Sequence, residues 1–251
     1  MKNHQVIAIS GATAGMGKAV LDLAAQNQTA VVFSGRRADR IRQIEEEHRQ
    51  MGHTVVGLCA DATDSNHYDQ LHSLAEQKIG QTPTAFVLSA GRGLPGTLTT
   101  SDSEQWQDLI NINLLGAMHQ LRSCATLFSQ QALIEPKVRD IVVIGSTVGR
   151  TLSAGNPVYG ATKFALHSLV ESLRQELCEK LIRVTLIEPG FVHSEFQATA
   201  GYNMEWFEQA EREQGPFLHA QDVADVIHFA LELPPHVHVD DFRIRPTRQR
   251  V

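Results

Sequence analysis

Little cysteine, no long apolar run and no surplus of positive charge mark this chain, and each shortage removes a class of function. Its three cysteines, Cys59, Cys124 and Cys178, are odd in number and far apart. That pattern suits neither a disulfide framework nor a C-x-x-C metal or redox site. No stretch approaches the ~20 apolar residues that a spanning helix requires, so no membrane partner is expected. A net charge of -6, with arginines scattered apart from Arg36-Arg37 and the last residues, argues against nucleic acid. The opening M-K-N-H-Q-V-I-A-I-S-G offers neither a signal-peptide apolar region nor a cleavage site, which makes the cytoplasm the expected location. Of twelve histidines only His236 and His238 stand close together. Without further ligands beside them they read as solvated histidines near a strand start, and no metal site is expected. Repeats, low-complexity tracts and Pro/Gly/Ser-rich linkers are all missing, so the 251 residues are expected to form one domain spanning 1–251.

What is present is a regular alternation. Short apolar runs at 6–10, 30–34, 54–59, 85–89, 141–144 and 183–187 read as strands covered on both faces, with 242–245 as a final edge strand. Between them lie segments of helical period at 17–26, 38–50, 65–79, 103–128, 159–179 and 220–231. Strand-helix alternation predicts an α/β fold, a Rossmann-like doubly wound parallel sheet of about seven strands in three α/β/α layers. Right-handed crossovers then bring all strand C-terminal ends to one edge, where ligands of such sheets bind. The least regular stretch, 193–218, carries Phe196, Tyr202, Trp206 and Phe207 among polar residues. It reads as a substrate-binding loop or lid, with a surface-packed helical hairpin as the alternative.

Three local patterns carry chemistry. S-G-A-T-A-G-M-G (10–17) joins the first strand to the first helix. Gly11 permits a tight turn, Gly15 a close approach of backbone to pyrophosphate, and Gly17 close helix packing, while the helix start supplies amide donors. The second strand ends in S-G-R-R, with Gly35 where an acidic residue would accept bonds from a ribose 2'-hydroxyl. Arg36 and Arg37 instead suit a 2'-phosphate, favouring NADP(H) over NAD(H), the alternative being that both simply solvate the helix start. Tyr159 and Lys163, four apart in Y-G-A-T-K, share one helix face, where an ammonium beside the phenol is expected to lower its pKa and let the pair shuttle a proton.

The glycine spacing, with Ser10 for threonine, resembles T-G-x-x-x-G-x-G of the short-chain dehydrogenases/reductases. The likeness continues through S-A-G (89–91, for N-A-G), Asn113 in I-N-L-L-G, Ser146, Y-G-A-T-K, and P-G-F-V-H-S (189–194, for P-G-x-V-x-T). The resemblance implies an NADP-dependent oxidoreductase acting on a carbonyl or alcohol, with Tyr159 as general acid/base and Ser146 on the reacting oxygen. Lys163 would also bond the nicotinamide ribose, and Asn113 would support a water-linked proton relay, the bland alternative for Asn113 being an exposed helical residue. The cofactor set it implies comprises Gly11, Thr13, Gly15, Met16, Gly17, Arg36, Arg37, Asp61, Ala62, Ala90, Gly91, Tyr159, Lys163, Pro189, Gly190, Val192 and Ser194. Asp61 would contact adenine, Val192 and Ser194 the carboxamide, while Asp64 is expected to cap the third helix. Ser89 departs from the family asparagine that ties neighbouring strands together.

The resemblance also implies a homodimer or homotetramer, here expected through the helices at 103–128 and 159–179. The rival reading is a non-catalytic NADP(H) sensor, which the presence of Asn113, Ser146, Tyr159 and Lys163 disfavours. An epimerase or dehydratase of the longer branch would need more chain after Pro189 than this sequence has.

Overall fold

The computed structural model describes residues 5–250, so the assigned domain 1–251 is seen without its first four residues and Val251. Seven parallel strands run in the order β3-β2-β1-β4-β5-β6-β9. They are β1 (Val6–Ser10), β2 (Ala30–Gly35), β3 (Val55–Cys59), β4 (Ala85–Leu88), β5 (Arg139–Ile144), β6 (Ile182–Pro189) and β9 (Asp241–Ile244). A separate two-stranded ribbon pairs β7 (Val192–His193) with β8 (Leu218–His219). The sheet reverses direction of growth between β1 and β4, and the crevice above that switch point is where an open α/β sheet binds ligands.

Apolar runs become central strands because each face has its own partner. Ile7, Ile9, Val31, Phe33 and Val87 pack into one core with α1 (Gly15–Gln26), α2 (Ala38–Gln50) and α9 (Ala220–Leu231). Their sequence neighbours Val6, Ala8, Val32 and Phe86 pack into the other, against α3 (His67–Ile79), α5 (Gly116–Ile134) and α6 (Pro157–Leu177). Side chains therefore alternate with period two although the sequence shows an unbroken apolar run. Each such Val, Ile or Phe, withdrawn fully from water, contributes roughly 1.5–3 kcal/mol. At the other end of the sheet Arg183 donates to both carboxylate oxygens of buried Asp140 at 2.7 and 2.8 Å, joining β5 to β6 far from the crevice.

Three expectations are corrected. The single helix at 103–128 is instead a 3-10 turn (Ser103–Gln105), α4 (Trp106–Ile110), a π-helical segment (Asn111–Leu115) and α5. Asp64 does not cap α3: the N-cap is Asn66, and Asp64 accepts from the Asn66 amide at 2.9 Å in a local turn. His238 is not simply solvated, since its Nε2 lies 3.1 Å from the Val184 carbonyl. The stretch at 193–218 folds as α7 (Phe196–Thr199) and α8 (Met204–Gln214), and these two helices wall the crevice.

Candidate active site

Above the switch point lie two adjoining cavities. The smaller, about 280 Å³, is lined by Gly11, Thr13, Gly15, Arg36, Arg37, Ala62, Ala90 and Gly91. Its shape comes from missing side chains. Gly11 has φ +73°, and a Cβ there would come within 2.7 Å of the Ala90 backbone. A Cβ on Gly35 would meet Thr13 Cγ2 at 2.3 Å, so an acidic side chain cannot stand there without displacing Thr13. Gly17 lines neither cavity but packs α1 onto the turn, its Cβ position being 2.5 Å from the Gly11 carbonyl. The start of α1 has Ala14 as N-cap, no side-chain cap and no acidic residue in the first turn. Its free amide donors and positive dipole end fit a dinucleotide pyrophosphate.

At the rim of this cavity Arg37 donates to the Thr13 carbonyl at 3.3 Å and pairs with Glu195 at 3.2 Å, with more than half of both charged side chains in solvent. Arg40, which sequence reading passed over, also reaches the Thr13 carbonyl at 3.4 Å. Asp61 does not line the cavity. It accepts from the Thr63 amide at 2.9 Å, and this bond holds its carboxyl below the ordinary range.

The larger cavity, about 650 Å³, contains Ser146, Tyr159, Lys163, Pro189, Gly190 and Val192, with Met16, Ser89, Gly91, Ser194 and Phe196 shared between the two. Ser146 follows β5 and caps a short 3-10 turn, accepting from the Val148 amide at 3.4 Å. Tyr159 and Lys163 sit on α6, both buried, with Nζ 5.8 Å from the ring centroid. Burial raises the Tyr159 phenol above its ordinary value; nearby Tyr202 adds to this, and a hydrogen bond with Ser146 opposes it. Burial pushes the Lys163 ammonium down to about 8, and it donates to the Ile144 carbonyl at 3.0 Å. The expected lowering of the phenol by Lys163 is not met here: burial is the largest influence on it, and the ammonium is directed at the Ile144 carbonyl.

Asn113 is buried, not exposed. Its amide nitrogen donates to the Arg92 carbonyl at 2.8 Å and to Thr162 Oγ1 at 3.2 Å, and its oxygen accepts from the Arg92 amide at 2.9 Å. Thr162 in turn donates to the Tyr159 carbonyl at 2.7 Å, so Asn113 joins the Gly91–Arg92 turn to the tyrosine helix. The Ser89 amide donates to the Ser10 carbonyl at 3.1 Å, a bond between the ends of β4 and β1 that an asparagine there would make equally.

Two further groups escaped sequence reading. His167, one turn beyond Lys163, accepts from the Ser146 amide at 3.3 Å, and its ring fills the space beside Gly145 and Gly149. Burial, aided by Lys163, pushes its pKa down to about 4, so the ring is neutral and holds Ser146 as an acceptor. Gln249 accepts from the Phe191 amide at 2.9 Å and packs on Gly190, fixing the turn after β6. The helix spacing from Tyr159 was a signal for His167; nothing local pointed to Gln249.

The sequence model of the family described as short chain dehydrogenase matches residues 5–205. The chain is a short-chain dehydrogenase. It is 31% identical over 97% of its own length and 97% of an uncharacterized oxidoreductase of Staphylococcus epidermidis. Its structure superimposes on the closed form of serine dehydrogenase complexed with NADP+ with TM-score 0.85, at 25% identity over 98% and 96% of the two chains. An alcohol dehydrogenase of Thermococcus sibiricus, complexed with 5-hydroxy-NADP, shares the fold at TM-score 0.83 and 24% identity over 98% of both chains. This short-chain dehydrogenase is thus an oxidoreductase of carbonyl and alcohol groups with a nicotinamide cofactor. Among the described residues no helix is long and apolar enough to cross a membrane, and no cluster of metal-ligating groups occurs.

Proposed function

We propose that this short-chain dehydrogenase interconverts a carbonyl compound and its alcohol with NADP(H), Tyr159 passing the proton. The observation that carries this reading is the convergence of Ser146, Tyr159 and Lys163 in one cavity beside the uncapped start of α1. When bound, NADPH supplies the hydride that a carbonyl carbon accepts. Gly11, Thr13, Gly15 and Gly17 form the turn that would take the pyrophosphate, with Ala90 and Gly91 after β4 beside it. Met16, Pro189, Gly190, Val192 and Ser194 would hold the nicotinamide end, and Ala62 the adenine end, with Asp61 next to it but outside the cavity.

Ser146 donates to the substrate oxygen while His167 fixes its backbone. Tyr159 gives its proton to that oxygen during reduction and takes it back during oxidation. A phenol raised by burial keeps its proton at neutral pH, which suits the reductive direction. Lys163, at about 8, exchanges protons near neutrality, and Asn113, fixed between Arg92 and Thr162, would support a water-linked relay to it. Arg36 and Arg37 take the 2'-phosphate, and the crowding at Gly35 supports NADP(H) over NAD(H) by leaving no room for a ribose-binding carboxylate. The NADP+ in the serine dehydrogenase complex agrees with this choice. The test is calorimetric titration with NADPH and NADH, followed by a panel of carbonyls and alcohols monitored through nicotinamide absorbance. Equal affinities would sink the NADP(H) assignment, and tight NADPH binding with no turnover would favour the sensor.

Association of two copies through α4, α5 and α6 is part of the same reading. Ile110, Leu115, Met118 and Phe164 present exposed apolar side chains there, which supports a homodimer or a homotetramer built from it. Sedimentation giving a concentration-independent monomer of 27.7 kDa would refute it. Exposed, unpaired Cys59 and Cys178 suit a reducing compartment and support the cytoplasm.

A further inference from the structure

The larger cavity is nearly without charge. Among the described residues that line it, Lys163 is the one side chain ionised at neutral pH, and no carboxylate, guanidinium or imidazole takes part. Its apolar wall comes from Pro95, Val148, Leu152, Phe191, Phe196 and Trp206. The remaining polar atoms, such as those of Asn156, Tyr202 and Gln214, are neutral and can hydrogen-bond a ligand but cannot balance an ion.

Of the charged neighbours, Arg245 packs behind Gly190 without lining the cavity, and Arg150, Arg92 and Glu211 are engaged elsewhere. Arg150 pairs with Glu188 and Asp241, each at 2.6 Å, while Arg92 bonds Gln105 and Glu211 lies 2.5 Å from His193. Lys163 is tied to the Ile144 carbonyl at the cavity floor. A substrate ammonium would thus lose its water without gaining an anion, and a carboxylate would find only Lys163, already tied at the floor, a costly transfer in either case. The entrance points the same way: Leu152 is 88% exposed and Trp206 52% exposed, and both line the cavity. Apolar side chains held open to solvent at the entrance to a cavity are surface that an apolar ligand would cover.

We propose that the substrate is an uncharged ketone or secondary alcohol with an alkyl or aryl body, which runs outward between Leu152 and Trp206, and that hydroxy acids and amino acids are rejected. The assignment rests on the hydride-transfer reading above and narrows it. The test compares acetophenone and 2-octanone, with their alcohols, against acetoacetate, 3-hydroxybutyrate and L-serine under saturating NADPH or NADP. The neutral compounds are expected to lead in kcat/KM by at least ~100-fold. Calorimetry with 2-octanone supplies a readout independent of turnover.

Leu152→Asp places a carboxylate at the entrance on a side chain too exposed to matter for folding. It is expected to raise the KM and Kd for 2-octanone about tenfold, with kcat little changed. Trp206→Ala should raise the KM for 2-octanone more than that for a small aldehyde. An acid or amino acid turned over as efficiently as the neutral ketones would overturn the substrate class. So would 2-octanone affinity within twofold of the unmodified protein in both variants. Binding of 2-octanone with no turnover of any compound would support the pocket assignment and overturn the hydride-transfer reading instead, which separates the two.

Discussion

The two ends of the crevice are built from different material. At the nucleotide end the shape is set by backbone: Gly11 and Gly35 stand where a Cβ would collide with Ala90 and Thr13, and the helix start is left uncapped. At the substrate end the shape is set by side chains from distant segments, with Leu152 after β5, Phe191 after β6, Trp206 on α8 and Gln249 near the end of the described chain. A backbone site constrains residue type through sterics, and glycine is its signature. A side-chain site constrains only the sum of its surfaces, and many combinations give the same polarity. The first end therefore fixes what cofactor is held, and the second is free to set which carbonyl is taken.

The sharpest test of this contrast is Tyr159→Phe, which alters one end and should leave the other intact. The ring keeps its packing and loses only the transferable proton, so turnover should fall by roughly 10²–10⁴ while NADPH affinity stays within a few-fold. Turnover at the unmodified rate would remove Tyr159 from the reaction.

Acid should weaken the fold that carries both ends. His167 beside Ser146 and His67 at the start of α3 are buried, and burial pushes each to about 4. Above about pH 7.5 both are neutral whether the chain is folded or not, and they contribute no pH dependence. As pH falls from 6.5 toward 4, the unfolded chain binds protons that the folded chain refuses, so stability falls, by about 3 kcal/mol per histidine at most. Urea unfolding at pH 7 and pH 4.5 measures this, and His67→Leu should lessen the loss; equal stability at the two pH values would contradict it.

A smaller effect is expected from the rim. Replacing Arg36 and Arg37 together with Ala removes charge-assisted bonds worth roughly 1.5–3 kcal/mol, which should weaken NADPH by about one to two decades and NADH hardly at all. Parallel losses for both cofactors would mean that the arginines stabilise the turn and do not discriminate. The smallest expected change is that of Glu195→Gln, which breaks the one ion pair described between the rim and the lid. Both partners are largely exposed, so the fold should lose under ~1 kcal/mol. Removing an anion from beside Arg37 should tighten NADPH a few-fold, and calorimetry showing weaker binding would mean that Glu195 orients Arg37.

Much of the nucleotide end was legible because its determinants are local. The turn 10–17, S-G-R-R and the apolar strands each depend on neighbours in sequence, and β1, α2 and α9 have the bounds that periodicity gives. The proton-transfer residues were legible through spacing, which fixes a shared helix face. It does not fix the dielectric around that face, and so the acidity of Tyr159 was misjudged. Asp64 was misassigned because Asp and Asn both suit turns and caps, and three such residues, Asp61, Asp64 and Asn66, compete there. Gln249 and the uncharged wall depend on chain segments that only the folded sheet brings together.

The π-helical segment has a consequence for insertion and deletion. It holds one residue more than the α-helix it interrupts, and Asn113 lies within it, bonded to Arg92 on one side and Thr162 on the other. Deleting a single residue between Ile110 and Gly116 would heal the helix at little cost to its hydrogen bonding. The residues on either side would keep their faces, and what would be lost is the placement of Asn113 within the widened turn. Substitutions along α4 and α5 are thus read one at a time, whereas a change in length here is read by the active site at once. A shortened relative could keep every catalytic side chain and the whole sheet, and still have lost the brace between the Gly91–Arg92 turn and the tyrosine helix.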